Sequence, residues 1–133
     1  MFKKLWRRPA EDRASEHQAA NKNQAANKKF GIPGDQIRPV ARGHGACFAT
    51  DEITVSGKPV GYMVRSDPRF DTDSGWVFTS GGESQAYMDN PDNTAIYDVN
   101  TIANYDPDII PFLDAPIGSS FARDERTGVL GPA

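Results

Sequence analysis

Three closely spaced pairs of aspartates are the side chains in this sequence best suited to chemistry: Asp71 and Asp73, Asp89 and Asp92, and Asp106 and Asp108. Such a pair supplies oxygen ligands for a hard cation, but Ca²⁺ takes about six to eight oxygens and no EF-hand loop closed by a Glu occurs. Acid–base catalysis would also require a cleft that perturbs the carboxyl pKa values. The pairs therefore predict no metal site.

Nucleophilic chemistry has little support in the sequence. Cys47 would need a neighbouring base, and the histidines are His17 and His44. His44 and Cys47 are three positions apart, so in an extended segment their side chains point to opposite faces. We expect Cys47 to be a small buried apolar residue. A phosphate-binding G-x-x-x-x-G-K-[ST] loop does not occur. We predict no catalytic residue, no cofactor and a function other than catalysis.

The single cysteine also bears on the compartment. It allows no intramolecular disulfide, which is typical of a reducing environment. The basic start of the chain is not followed by the apolar run of about 7–15 residues found in signal peptides. No stretch approaches the roughly 20 apolar residues of a membrane helix. We expect a cytoplasmic protein without a transmembrane segment.

Charge divides the chain into two parts. Residues 1–42 carry ten Lys and Arg against four Asp and Glu, or +6, whereas residues 43–133 carry five against fourteen, or −9. An acidic body disfavours nucleic acid, whose phosphates must be neutralised by Lys and Arg, and favours a basic protein partner. The same charge would also serve simply to keep the domain in solution.

The N-terminal part predicts a tail. QAANKN at residues 18–23 is followed by QAANKK at residues 24–29, and a helix here would bury only alanines. Phe2, Leu5 and Trp6 lie among basic residues and suggest a short docking segment or a mobile terminus. Turn residues between Gly31 and Pro39 end any helix. We predict a basic, polar, flexible tail over residues 1–41, disordered or a frayed helix, and a folded domain over residues 42–133.

The folded part begins with alternating patterns that predict strands. We assign strands to residues 46–50, to a short piece around Ile53 and Val55, and to residues 60–65, which together suggest a hairpin. In the third of these, Val60, Tyr62 and Val64 should share one face. Residues 75–79, with Trp76 facing the core, should form the central strand.

Shorter elements follow. Residues 83–89 predict a helix that brings residues 86–88 near the sheet, residues 94–99 a strand, and residues 100–105 a helix capped by Asp98 or Asn100. The apolar residues between Ile109 and Leu113 should close the core. Residues 118–123 predict a last strand and residues 128–133 a loose end. The pattern predicts an α+β fold, a mainly antiparallel sheet with short helices packed on it.

Aromatic residues near acidic ones are candidate anchors for a protein partner, because Tyr and Trp are enriched at the centre of interfaces. The candidates are Tyr62, Trp76, Tyr87, Tyr97 and Tyr105. We expect about three of the five rings to lie in the core instead.

Several blocks together resemble the bacterial Imm33 immunity-protein family, also described as the domain of unknown function DUF2185. The blocks are ACFATD at residues 46–51, VGYM at 60–63, DSGW at 73–76 and YDVNTIANYDP at 97–107, with Arg65, Gly82, Glu83, Ile109 and Ile110. The resemblance covers roughly residues 45–124. It implies an α+β domain, marked by the pair Gly75 and Trp76, that neutralises a toxin of a polymorphic toxin system; it supplies no catalytic residues.

The main hypothesis is a non-enzymatic bacterial immunity protein whose acidic surface blocks a basic toxin domain. The candidate partner-binding residues are Asp71, Asp73, Trp76, Glu83, Asp89, Asp92, Asp98 and Asp106. One alternative is a small-ligand or enzymatic domain with a carboxylate and aromatic cleft near Asp73, Trp76 and Asp98. Another is a structural module whose basic tail docks on an acidic partner or a membrane surface. The sequence leaves the oligomeric state open.

Overall fold

Six strands and three α-helices build residues 28–133, the part of the chain that the structure, a computed structural model, describes. The strands are β1 (Ala46–Thr50), β2 (Tyr62–Arg65), β3 (Asp73–Thr79), β4 (Thr94–Asp98), β5 (Ser120–Arg123) and β6 (Leu130–Pro132). The helices are α1 (Asp51–Thr54), α2 (Gln85–Asp89) and α3 (Val99–Tyr105), with 3-10 turns at Gly34–Gln36, Pro91–Asn93 and Pro107–Phe112. Most of the predicted tail, including the direct repeat up to residue 27, lies outside the described residues.

The strands form one sheet in the order β4-β1-β3-β2-β5-β6. β1 and β3 are parallel, and the other neighbouring strands are antiparallel. The predicted α+β fold with a mainly antiparallel sheet and short helices is therefore confirmed, and β3 is a central strand as expected. None of the helices in residues 28–133 combines the length and the apolar character needed to cross a membrane.

One face of the sheet carries the hydrophobic core. Trp76 and Phe78 of β3 are fully buried there, with their rings stacked at a centroid distance of 6.0 Å. Helix α3 and the Pro107–Phe112 turn cover them, through side chains that include Ile102, Ile109 and Leu113. The prediction that residues 109–113 close the core is confirmed.

The opposite face is covered only in part. Phe48 and Val77 are buried on it, and the Phe48 ring lies 6.3 Å from that of Phe70. Towards β2 and β5 the same face opens, because Tyr62 is exposed and Ala122 is half-buried. An antiparallel sheet needs only one packed face, so this side of the sheet is available to other molecules.

A bulge interrupts β3 at Gly75. While β1 advances two residues, from Ala46 to Phe48, β3 advances four, from Asp73 to Val77. Gly75 has a φ of 90°, and a Cβ at this position would lie 2.1 Å from the carbonyl oxygen of Ser66. The site therefore requires glycine for both its backbone conformation and its lack of a side chain.

Trp76 and Arg65 hold the bulge in place. The indole Nε1 of Trp76 donates to the carbonyl of Leu113 at 3.2 Å, and the Arg65 guanidinium lies 5.7 Å from the centre of the Trp76 ring. Arg65 also donates to the carbonyls of Ser74 at 2.8 Å and Ala115 at 2.7 Å. These contacts join β2, β3 and the segment after the last 3-10 turn.

Two sequence predictions are wrong between β1 and β2. The short strand around Ile53 and Val55 is helix α1, in which the Val55 amide donates to the Asp51 carbonyl at 2.9 Å. β1 and β2 do not form a hairpin, because β3 lies between them. Two apolar residues two positions apart, such as Ile53 and Val55, are compatible with a strand or with a single helical turn. The helical turn is the one that forms, and it buries Ile53 in the core.

Two further predictions failed because strand pairing was not visible in the sequence. Val60 and Tyr62 do not share a face, since β2 begins at Tyr62 and Val60 lies in the core with Met63. The expected loose end contains β6, which pairs with β5 and buries Leu130. The predicted helix capped by Asp98 is confirmed as α3.

Residues 28–41 run along the helices. The Gly31 amide donates to the Thr54 carbonyl at 2.8 Å, and the Ile32 amide donates to the Tyr105 hydroxyl at 3.0 Å. Further along, the Ala41 amide donates to the Asn100 side chain at 2.8 Å. This segment is thus attached to α1 and α3 before β1 begins.

Replacing Gly75 with alanine should destabilise the fold by about 3 kcal/mol or more, because the new Cβ meets the Ser66 carbonyl and the positive φ is strained. Gly57→Ala is the matched control: its φ is 78°, but nothing lies within 4 Å of the added Cβ, so about 1 kcal/mol is expected. Urea unfolding measures both. Equal losses in the two variants would contradict the steric argument.

Candidate functional site

The topology gathers several loops at one end of the sheet. Since β1 and β3 are parallel, the segments that follow them, residues 51–61 and 80–93, leave the sheet at the same end. The turn between β5 and β6, residues 124–129, lies at this end too, because β5 is antiparallel to β2. Lys28 and Asp106 attach residues 28–29 and 106–108 to these loops. We call these five segments, with Arg123 at the end of β5, the acidic end.

Most of the net negative charge of residues 28–133 lies at the acidic end. Its nine carboxylates are Asp51, Glu52, Glu83, Asp89, Asp92, Asp106, Asp108, Asp124 and Glu125. Its five cationic residues are Lys28, Lys29, Lys58, Arg123 and Arg126. The opposite end has five carboxylates and four cationic residues: Asp67, Asp71, Asp73, Asp98 and Asp114, with Arg38, Arg42, Arg65 and Arg69. The formal charges are thus −4 and −1, so the acidic body is polarised.

Tyr87 lies among carboxylates on helix α2. Burial, together with the negative charges of Asp51, Glu52 and Glu83, raises the pKa of Tyr87 to about 12. Negative charges disfavour the phenolate because it is also an anion. The phenol therefore stays protonated and neutral in a strongly negative environment.

Two lysines offset part of this charge. Lys28 donates to the Asp51 carboxylate at 2.9 Å and to the Asp92 carbonyl at 2.9 Å. These two contacts join the segment after β1 to the segment before β4. Lys58 pairs with Glu52, and that hydrogen bond raises the pKa of the Lys58 ammonium. The Lys58 side chain is largely exposed, so that pair orients its loop more than it stabilises the fold, whereas the pair of Lys28 and Asp51 is mostly buried.

Glu83 shapes the loop after β3. Its carboxylate accepts hydrogen bonds from the Thr50 hydroxyl at 2.5 Å, the Ser80 amide at 2.8 Å and the Gly81 amide at 3.0 Å. Burial alone would raise the pKa of Glu83, but these hydrogen bonds favour the anion and lower the pKa below its ordinary value. The ionised carboxylate thereby connects the ends of β1 and β3.

Asp106 and Arg123 form a partly buried ion pair under the acidic end. Asp106 accepts from the Val60 amide at 2.9 Å and from Arg123 Nη2 at 2.6 Å. Arg123 also donates to the Val60 carbonyl at 2.9 Å, to Asp108 at 3.0 Å and to the Gly128 carbonyl at 2.8 Å. The pair joins helix α3, the start of β2 and the β5 to β6 turn.

A groove of about 790 Å³ opens at the acidic end. It lies on the partly covered face of the sheet, between the loop of residues 79–83 and the β5 to β6 turn. The lining includes Lys58, Tyr62, Glu83, Met88, Arg123 and Glu125. The lining combines charged side chains with an exposed tyrosine and other apolar surface, which suits a peptide segment that carries a charged side chain.

The eight residues predicted to bind a partner are divided between the two ends of the molecule. Glu83, Asp89, Asp92 and Asp106 lie at the acidic end, whereas Asp71, Asp73 and Asp98 lie at the opposite end and Trp76 lies in the core. Of these, Asp71, Asp89, Asp92 and Asp98 are exposed. Their role in binding stays a prediction.

Several of these eight side chains have structural partners within the fold. Asp73 accepts from the Arg69 and Gly75 amides, both at 2.9 Å, beneath the bulge. Asp98 caps α3 by accepting from the Asn100 amide at 2.8 Å. At the opposite end, the start of β3 and the end of β4 thus use carboxylates to satisfy backbone donors.

The structure also locates the residues of the alternative cleft and the single cysteine. The groove lining contains none of Asp73, Trp76 and Asp98, the residues of the alternative cleft. Cys47 is fully buried, and burial with nearby Asp73 and Asp98 raises the pKa of its thiol. In residues 28–133, no three or more His, Cys, Asp and Glu side chains are grouped to hold a metal ion.

The residues predicted from the sequence to bind a partner leave out five of the nine carboxylates of this site: Asp108, the pair Asp51 and Glu52, and the pair Asp124 and Glu125. Each pair directly follows a strand, β1 or β5. That position was a usable signal, because residues after a strand lie at a sheet end. Assigning both pairs to the same end requires the strand order, which no local pattern contains.

Comparison with known proteins identifies one family. Residues 47–130 match the family model described as the immunity protein Imm33 domain. That range runs from β1 to the first residue of β6 and includes all loops of the acidic end except residues 28–29. No curated protein and no solved structure matches the chain.

Glu83→Gln should make stability less dependent on pH. Because the folded state lowers the pKa of Glu83, its stabilising effect is present above the ordinary pKa of about 4.5 and is lost as pH falls through the folded value. Urea unfolding should show the variant roughly 1 kcal/mol less stable at pH 7, with a smaller difference at pH 3. Glu125→Gln, an exposed control, should equal the wild type at both values. A constant difference for Glu83→Gln would contradict the assignment.

Proposed function

Because this chain belongs to the Imm33 immunity-protein family, we propose that it is a bacterial immunity protein that binds and neutralises a cognate toxin. The family match over residues 47–130 carries this proposal. The matched part contains four complete strands, four of the five residues of β1 and all three helices, so it spans most of the sheet and is not an isolated motif.

We assign toxin binding to the acidic end. Its net charge of −4 would attract a toxin domain with a basic active site and increase the association rate. The exposed residues Asp89, Asp92, Asp124 and Glu125 are the surface carboxylates of this proposal. This set leaves out Asp73, Trp76 and Asp106, which are among the eight residues predicted from the sequence, because these three are buried and have structural roles.

In this mechanism the immunity protein neutralises the toxin simply by occupying its active site. A domain that covers the active site of the toxin excludes its substrate, and no covalent bond is made or broken. The unpaired, buried Cys47 is compatible with action in the reducing cytoplasm, where a toxin would meet the immunity protein. The partner is accordingly a protein with a basic surface.

The test is co-expression of the full chain with the toxin encoded beside it in a bacterial host. Growth arrested by the toxin alone should be restored, and the two proteins should elute together on gel filtration. Since the contact is electrostatic, affinity measured by calorimetry should fall at least about fivefold between 50 and 300 mM salt. No rescue and no complex with any neighbouring toxin would refute the proposal.

Two charge-matched variants test the assigned surface. Asp89→Asn with Asp92→Asn removes two exposed charges from the acidic end, and Asp71→Asn with Asp114→Asn removes two from the opposite end. The first pair should weaken binding by roughly tenfold, whereas the second should leave it within about twofold. The reverse pattern would place the toxin at the other end of the sheet.

A further inference from the structure

An exposed tyrosine lies in the groove of the acidic end. Tyr62 is 37% exposed, although its neighbour Met63 is fully buried in the core. Across the sheet, Tyr62 pairs with Thr79 on one side and with Ala122 on the other. Because both neighbours are small, part of the aromatic ring stays open to a partner.

The walls of the groove are held by close backbone packing on one side and by hydrogen bonds on the other. On one side, Gly61 is so close to the loop after β3 that a Cβ would lie 1.9 Å from the Ser80 carbonyl oxygen. On the other side, Asp124 accepts from the Arg126 amide at 2.7 Å and from the Thr127 amide at 3.2 Å. A preformed groove loses little conformational entropy when it binds, which favours affinity.

The cationic residues that line the groove are paired with carboxylates outside its lining. Of the cationic groups that line it, Lys58 pairs with Glu52 and Arg123 pairs with Asp106. Glu125 is exposed at the rim and belongs to the same lining. An incoming cation would therefore meet carboxylates, whereas the native cations are already engaged.

Resting on the proposed function, we infer that this groove receives a loop of the toxin that carries an arginine or a lysine. The aliphatic stem and cationic head of such a side chain pack on the Tyr62 ring, and the head reaches the carboxylate of Glu125 at the rim. Tyrosines in partly enclosed sites carry a large share of interface energy. Tyr62 is then the principal anchor, with the other carboxylates of the acidic end guiding the approach.

Tyr62→Ala tests the anchor in the full chain. The dissociation constant for the neighbouring toxin, made inactive by substitution in its own active site, should rise at least about tenfold. Tyr62→Phe keeps the ring and should stay within about threefold of the wild type. Ile117→Ala is the matched control, since Ile117 is 51% exposed near the opposite end and should have no effect.

Glu125→Lys tests the charge. It should raise the dissociation constant at least about tenfold, whereas Asp114→Lys, at a side chain that is 98% exposed near the opposite end, should change it less than threefold. Thermal unfolding of each variant shows whether the fold is kept. Because Tyr62 and Glu125 are exposed, both variants should unfold within a few degrees of the wild type.

The two proposals fail in different ways. If the wild type binds and neutralises the toxin but Tyr62→Ala and Glu125→Lys bind as tightly, the groove is not the contact and this inference is overturned while the immunity function stands. If the wild type neither binds nor rescues, the proposed function itself is refuted. Loss of binding in both groove variants, with both controls intact, supports the inference.

Discussion

The fold depends on a backbone constraint at Gly75 in the central strand. β3 must pair in parallel with β1 and antiparallel with β2, and the bulge lets it do both while Trp76 points into the core. The close approach of the Ser66 carbonyl leaves no room for a side chain. Asp73 accepts the Gly75 amide and Arg65 donates to the Ser74 carbonyl, so polar groups exposed by the bulge are satisfied. The Gly-Trp pair of this domain thus has a structural reason.

The location of the acidic end follows from the same central strand. Parallel pairing of β1 and β3 directs the segments after both strands to one side, and these segments carry most of the excess carboxylates. Glu83 then bonds the Thr50 hydroxyl and so joins the ends of the two strands. Charge that is spread along the sequence becomes concentrated in space, which is what a partner approaching through solution responds to.

Carboxylates in this protein have two physical roles. Asp73 and Asp106 are buried, and their oxygens accept backbone amides and arginine hydrogen bonds, so they act as part of the framework. Asp89 and Glu125 are exposed and act through their charge. Residue type does not separate these roles, because an aspartate in a turn has the same sequence appearance in both. Burial separates them, and it arises from contacts between distant segments.

The sequence by itself determined the α+β class, the central strand, the capped helix α3, the buried Trp76 and the acidic body, because each depends on local periodicity, local capping or composition. It placed Ile53 and Val55 in a short strand and residues 128–133 in a loose end, since both segments are too short for periodicity to decide. Only the tertiary structure decided the strand order, the faces of Val60 and Tyr62, and which carboxylates meet at one end. These features depend on pairing between segments far apart in the chain, and the free energy of that pairing is not encoded in any single window of sequence.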